Sequence, residues 1–201
     1  MENIEKKEYV AGEVAILRGL TGSGKTRLLK EKISAGLWPE DTIICSPDSY
    51  MVNKDGKYQF RDYKIKLADE LCFLKFFKAI EDTSDYKVIV IDALNLQHID
   101  FVKYFVIARL LNYTPHIISL YDGGLTNEEL AERNIHGVPA TGKGSIAWQR
   151  KKWEGYSTAK IAKYINWDKI EDIYPSYTRT LEQRFDDLKS TISVEEHVCI
   201  P

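Results

Sequence analysis

Val14-Ala15-Ile16-Leu17-Arg18-Gly19-Leu20-Thr21-Gly22-Ser23-Gly24-Lys25-Thr26 decides how this chain folds. Its first part is an almost unbroken apolar run, the pattern of a strand buried on both faces. Leu28, Leu29 and Ile33 then fall on one side of a helix that Gly36 is placed to end. Between strand and helix, Gly19, Gly24, Lys25 and Thr26 complete G-x-x-x-x-G-K-[ST], a phosphate-binding loop in the context that the motif requires. A loop that wraps a phosphate must turn its backbone N–H groups inward, and Gly19, Gly22 and Gly24 leave room for this. The N–H groups from Leu20, Thr21, Gly22, Ser23 and Gly24 onward line the cradle, with the helix N-terminus aimed at the same anion. Lys25 supplies a full charge to the outer phosphates, and the Thr26 hydroxyl is placed for the Mg²⁺ that accompanies a nucleoside triphosphate such as ATP. A dinucleotide fingerprint is excluded, because Lys25, Thr26 and Arg27 follow where a third glycine is needed.

Outward from the loop, the chain reads as an α/β domain with a parallel sheet flanked by helices. Thr42–Ser46 is a second strand, Tyr86–Asp92 a third and His116–Tyr121 a fourth. A strand near Val194–Val198 or elsewhere would make a fifth. Helices are expected over 64–82, with Leu67, Leu71, Leu74 and Ile80 inward, and around Ile99, Val102, Phe105, Val106 and Leu110. Thr126 and Glu129 form a capping box that starts another helix, with Leu125 stapled to Leu130. Residues 134–149 are polar and glycine-rich and read as an irregular, mobile lid. The division is a kinase-type domain over 1–156 and a small helical C-terminal appendage over 157–201.

In an open parallel sheet, ligands sit beyond the carboxyl ends of the strands. Asp48 follows the second strand there, either as a general base for an acceptor hydroxyl or as a helix cap. Asp92 ends the third strand as a Walker-B-type aspartate does, holding Mg²⁺, if through water, or touching the acceptor; its bland alternative is a turn cap. Asn95 follows on the same loop. Arg133 is the lid residue best placed to bring charge onto a transferring phosphate. Lys143, Arg150, Lys151 and Lys152 form a local basic patch, or a solvated helix face. Tyr156, Tyr164, Trp167, Tyr174 and Tyr177 either stack on bases or pack a subdomain.

Composition bounds the partners. Net charge is −2 over 201 residues, so a polyanion could be met only by a local basic patch. No apolar stretch is long enough to span a membrane, and the charged Met1–Glu8 is not a secretory signal. Three scattered cysteines fit a reducing cytoplasm, and neither they nor the four histidines have metal-ligand spacing.

Four blocks resemble P-loop kinases related to the kinase domain of phage polynucleotide kinase. These are Gly19–Thr26; Ser46-Pro47-Asp48-Ser49-Tyr50 with Asp55-Gly56-Lys57-Tyr58; Ile91-Asp92-Ala93-Leu94-Asn95-Leu96; and Glu129–Asn134 with His136-Gly137-Val138-Pro139. The resemblance spans roughly residues 13–154. It implies ATP as donor, Asp48 as the base for a hydroxyl acceptor, Asp92 beside the acceptor and Arg133 as a lid arginine on the donor phosphates. Three departures stand out. Ser49 replaces a frequent second acid, Met51 stands where the phage enzyme has an acceptor-phosphate arginine, and no arginine occurs between Arg133 and Arg150. The acceptor expected from the resemblance is a nucleic-acid hydroxyl, most simply a 5′-OH end. The alternatives are a 5-hydroxymethyluracil base in DNA, a nucleoside or other small molecule, and an ATP-binding module without catalysis.

Overall fold

The computed structural model describes residues 11–51, 53, 55, 58–59, 61–81, 85–134, 141–164 and 197–199. Five strands make one parallel sheet: β1 (Gly12–Gly19), β2 (Ile43–Cys45), β3 (Lys87–Asp92), β4 (Tyr113–Tyr121) and β5 (His197–Cys199). Their spatial order is β2-β3-β1-β4-β5. β1 therefore lies in the middle, and the chain leaves it to opposite sides, so a crevice opens at its carboxyl end. The fifth strand sits at the C-terminal end of the chain, so its last described residues belong to the sheet.

Successive residues of the central strands point to opposite faces. Val14, Ile16, Ile89, Ile91 and Ile117 pack with α2 (Ile65–Glu81) and α3 (His98–Leu110). Ala15, Leu17, Val88, Val90, Ile118 and Leu120 pack with Leu29 of α1 (Lys25–Ser34) and with Trp38. Burial on both faces is why β1 and β3 read as continuous apolar runs. α1 stops where the sequence indicates, with Gly36 at φ 67° and its N–H donating to Ile33 O.

Two expectations are corrected. α2 is rotated from its predicted face: Ile80 is inward as expected, but it is joined there by Ala68, Cys72 and Phe76, while Leu67 and Leu74 are each 52% exposed. The small side chains let the helix approach, and Phe76 sets its ring edge-on against Tyr104, with centroids 5.0 Å apart. The second correction concerns the lid. Lys143–Lys152 is a helix, α5, that starts after an extended Gly142 and turns Ile146 and Gln149 inward. Apolar and polar inward groups three residues apart define its buried side, and the glycines that suggested irregularity lie at its exposed start. His136–Pro139 and most of the expected appendage, residues 165–196, lie outside the described residues. Within residues 157–201, expected as a helical appendage, α6 (Thr158–Tyr164) packs on α3 and β5 joins the sheet.

Candidate active site

The P-loop leaves β1 between β3 and β4. Gly19 N–H donates to Leu94 O at 3.1 Å and Leu20 N–H to Tyr121 O at 2.8 Å. Gly24 adopts φ 102° as the residue before α1, and no side chain caps the helix start. No acidic residue lies in its first turn. An uncapped helix N-terminus behind a glycine cradle suits an anionic phosphate. Gly22 is required sterically, since a Cβ there would lie 2.4 Å from Leu130 O. That carbonyl belongs to α4 (Asn127–Arg133), which therefore lies directly against the loop. The Ser23 hydroxyl is buried in the loop and finds no hydrogen-bond partner among the described residues. A buried hydroxyl in this condition fits a site made for a polar ligand.

Lys25 Nζ donates to Gly19 O at 2.7 Å and Leu20 O at 2.9 Å. Burial lowers its pKa to about 8, against the opposing influence of Asp92 and Asp48. Thr26 Oγ1 donates to Asp92 Oδ2 at 3.3 Å. A hydroxyl and a carboxylate oxygen are hard donors of the kind Mg²⁺ takes alongside phosphate and water. The residues present thus fit both groups, ATP and Mg²⁺. Asp92 is half-buried, and its carboxyl pKa is raised by that burial, with Lys25 and Thr26 opposing.

Asp48 stands across the crevice. It lies in a 3₁₀ turn, Pro47–Tyr50, immediately after β2. The carboxylate is open to solvent, yet the protein around it and the charge of Asp92 raise its pKa, while Lys25 and the Tyr58 hydroxyl lower it. Tyr58 hydrogen-bonds Asp48, and its own pKa is pushed up to about 12 by burial and by that carboxylate. Gln59 N–H donates to Met51 O, folding this segment back on the turn. Met51 is buried, so its position points inward. From Tyr58 the chain continues to an exposed Arg61–Tyr63 pair, with Arg61 Nη1 donating to Tyr63 Oη at 3.2 Å.

Asn95 is turned away from the crevice. It has φ 46°, is 5% exposed and donates Nδ2 to Leu17 O at 2.7 Å. Its own carbonyl accepts from Arg18 Nε at 2.9 Å. Arg18 is fully buried, between the rings of Phe101 and Trp153 at 4.5 and 4.6 Å. Its Nη2 donates to Leu96 O at 3.1 Å and to Glu154 O at 2.7 Å. Burial lowers its pKa to about 10, which leaves it charged at neutral pH. One cation thus joins β1, the loop after β3 and the chain beyond α5. Glu154 is tied further to His98, whose Nδ1 lies 2.7 Å from Glu154 Oε2 and whose Nε2 accepts from Ser157 N–H at 3.1 Å.

The expected site residues thus separate. Lys25, Thr26, Asp92 and Asp48 come together at the strand ends, while Asn95 serves the loop geometry. Arg133 ends α4, one turn beyond the Leu130 carbonyl that meets the P-loop, and is exposed. The basic patch divides as well. Arg150 bonds Asp122, Tyr121, Asn127 and Leu125 O, which makes it a structural tie. Lys143 pairs with Glu128 at 3.7 Å. Lys151 and Lys152 are exposed at the end of α5. The sequence analysis passes over Gln149 and gives no role to Arg18 or to Tyr58, which it quotes only within a resembling block. Arg18 carries a signal of its own, a charge set within an otherwise apolar buried run.

No family model matches the chain. Similar solved structures include a "putative kinase" of Chloroflexus aurantiacus, 16% identical over 72% of this chain and 78% of that one, with a TM-score of 0.49. A gluconokinase of Sinorhizobium meliloti is 12% identical over 90% and 96% of the two chains, with a TM-score of 0.42. A deoxyadenosine kinase of M. mycoides, solved with bound dATP, is 12% identical over 94% and 90%, with a TM-score of 0.36. The α/β architecture with its P-loop stands on the chain's own geometry. Among the described residues no helix is long and apolar enough to cross a membrane.

Proposed function

We propose that this chain is an ATP-dependent phosphotransferase acting on an alcohol group, with a nucleic-acid hydroxyl, most simply a 5′-OH end, as its acceptor. The observation that carries the reading is a carboxylate, Asp48, facing Lys25 and Asp92 across the strand ends and bonded by Tyr58. Asp48 takes the proton of the acceptor hydroxyl as that oxygen attacks the γ-phosphorus. The bond to the β–γ bridging oxygen breaks, and ADP leaves with its electron pair. Its raised pKa makes Asp48 a stronger base than a free carboxylate, and Tyr58 orients it. Lys25 and Arg133 neutralise the charge that spreads over the transferring group. Mg²⁺, held at Thr26 and Asp92, supplies further neutralisation and alignment when bound.

Support for a nucleic-acid acceptor comes from the approach to Asp48. Exposed Arg61, Tyr63 and Lys66 follow Tyr58 directly, offering cations and a ring for a phosphate backbone and a base. A second reading, a small uncharged alcohol or nucleoside, is favoured by Asp69, which adds negative charge near Asp48, and by the buried Met51. Labelled γ-phosphate offered to a 5′-OH oligonucleotide, to end-blocked hydroxymethyluracil DNA and to a nucleoside mixture separates them. Label on the oligonucleotide end is expected. Label only on nucleosides selects the second reading, label only on the internal base moves the function to base modification, and no transfer to any of the three overturns the nucleic-acid reading and leaves other small-molecule acceptors or an ATP-binding module without catalysis.

A further inference from the structure

α5 reaches the P-loop through a single polar side chain. Gln149 is 3% exposed, and both ends of its amide are used on Thr21. Gln149 Oε1 accepts from Thr21 N–H at 2.9 Å, and Gln149 Nε2 donates to Thr21 Oγ1 at 3.0 Å. Two reciprocal bonds to one residue fix both its backbone and its side chain. The helix that delivers Gln149 is itself fixed. Ile146 packs with Leu20, Leu96 and Leu130, and Arg150 ties α5 to the turn after β4. Just past the helix, Glu154 O is held by Arg18.

Thr21 lies at the outer turn of the loop. Lys25 Nζ rests on the carbonyls of Gly19 and Leu20, the two residues before Thr21. The P-loop lysine serves the outermost phosphates, so the turn beside its ammonium borders the terminal one. Thr21 N–H is engaged by Gln149, and Ser23 N–H by Leu20 O at 3.1 Å. Contrary to the expectation that they line the phosphate cradle, the Thr21 and Ser23 N–H groups are spent on protein acceptors, and they brace the outer turn before a ligand arrives, so the loop need not reorganise around the phosphate.

We infer that Gln149 is a positioning residue for the γ-phosphate end of the P-loop, and so sets the preference for a nucleoside triphosphate over a diphosphate. The inference rests on the nucleotide reading above and needs no knowledge of the acceptor. Gln149→Met keeps the length and burial of the side chain but removes both bonds. Calorimetric titration of the full chain with MgATP and with MgADP then reads the consequence. MgATP affinity is expected to fall about tenfold while MgADP affinity changes less than twofold. Gln149→Glu still accepts from Thr21 but places a negative charge near the terminal phosphate, and is expected to weaken MgATP more than MgADP. Equal losses for the two nucleotides, or no loss in either variant, overturn the inference while leaving nucleotide binding intact. A wild-type chain that binds neither nucleotide overturns both.

Discussion

The two walls of the crevice are built differently. The donor wall is main chain held by buried and half-buried partners: the P-loop is fixed by Leu94 O, Tyr121 O, Leu130 and Gln149. The acceptor wall is side chains on a 3₁₀ turn and the segment after it, with Asp48 and Tyr63 open to solvent. A backbone cradle depends on exact dihedrals, and only a few residues permit them. A wall of exposed side chains can exchange its chemistry without disturbing the fold. On the proposed reading, the difference teaches that donor binding is written in the scaffold and acceptor choice in replaceable positions.

The largest effect expected on the donor wall is at Lys25. Lys25→Met should lower transfer about 10²–10³-fold, since one preorganised donor to the reacting group is lost. Steady-state transfer checks it, and a loss below tenfold would place the phosphate charge elsewhere. Next is the buried brace behind the donor wall, which joins β1 to the loop after β3 and to the chain beyond α5. Arg18→Met leaves the carbonyls of Asn95, Leu96 and Glu154 without their donor, and should cost about 2–4 kcal/mol in denaturant unfolding. A cost under about 1 kcal/mol would show that these three segments are joined by apolar packing instead.

A pH dependence sharpens the contrast. In the free chain the Lys25 pKa is lowered to about 8. Above that pH the lysine must take up a proton to meet phosphate, so nucleotide affinity should fall as pH rises, by at most about tenfold per unit. Below it the charge is already present and the dependence disappears. Titrations at pH 7 and 9 test this, and a flat profile would contradict it. The smallest effect lies at the edge of the donor wall. Thr126 accepts from Glu129 N–H at 3.2 Å and caps α4, so Thr126→Ala should cost about 1 kcal/mol of stability with little effect on ADP binding.

Legibility followed the same division. The sheet, α1 and the capping box of α4 could be read because each rests on local chemistry: a buried run, a glycine stop, a Thr and Glu three residues apart. The buried face of α2 could not, because Ala68 and Cys72 earn burial by close approach to neighbours that are distant in sequence. α5 was hidden by Gly142 and Gly144, which sit at its start. Among site residues, Lys25, Thr26, Asp48 and Asp92 are tied to strand ends, which a sequence places well. Asn95 shares that loop, but its left-handed backbone turns the side chain inward. Gln149 acts across 128 residues, and a glutamine in a basic helix carries no pattern that announces it.

The most direct test of the central claim compares wild type with Asp48→Asn in γ-phosphate transfer and in MgATP binding. The carboxamide keeps the shape but cannot take a proton. Transfer should fall by about 10²–10⁴-fold while MgATP affinity stays within threefold. An Asp48→Asn chain that transfers phosphate at the wild-type rate would contradict the account.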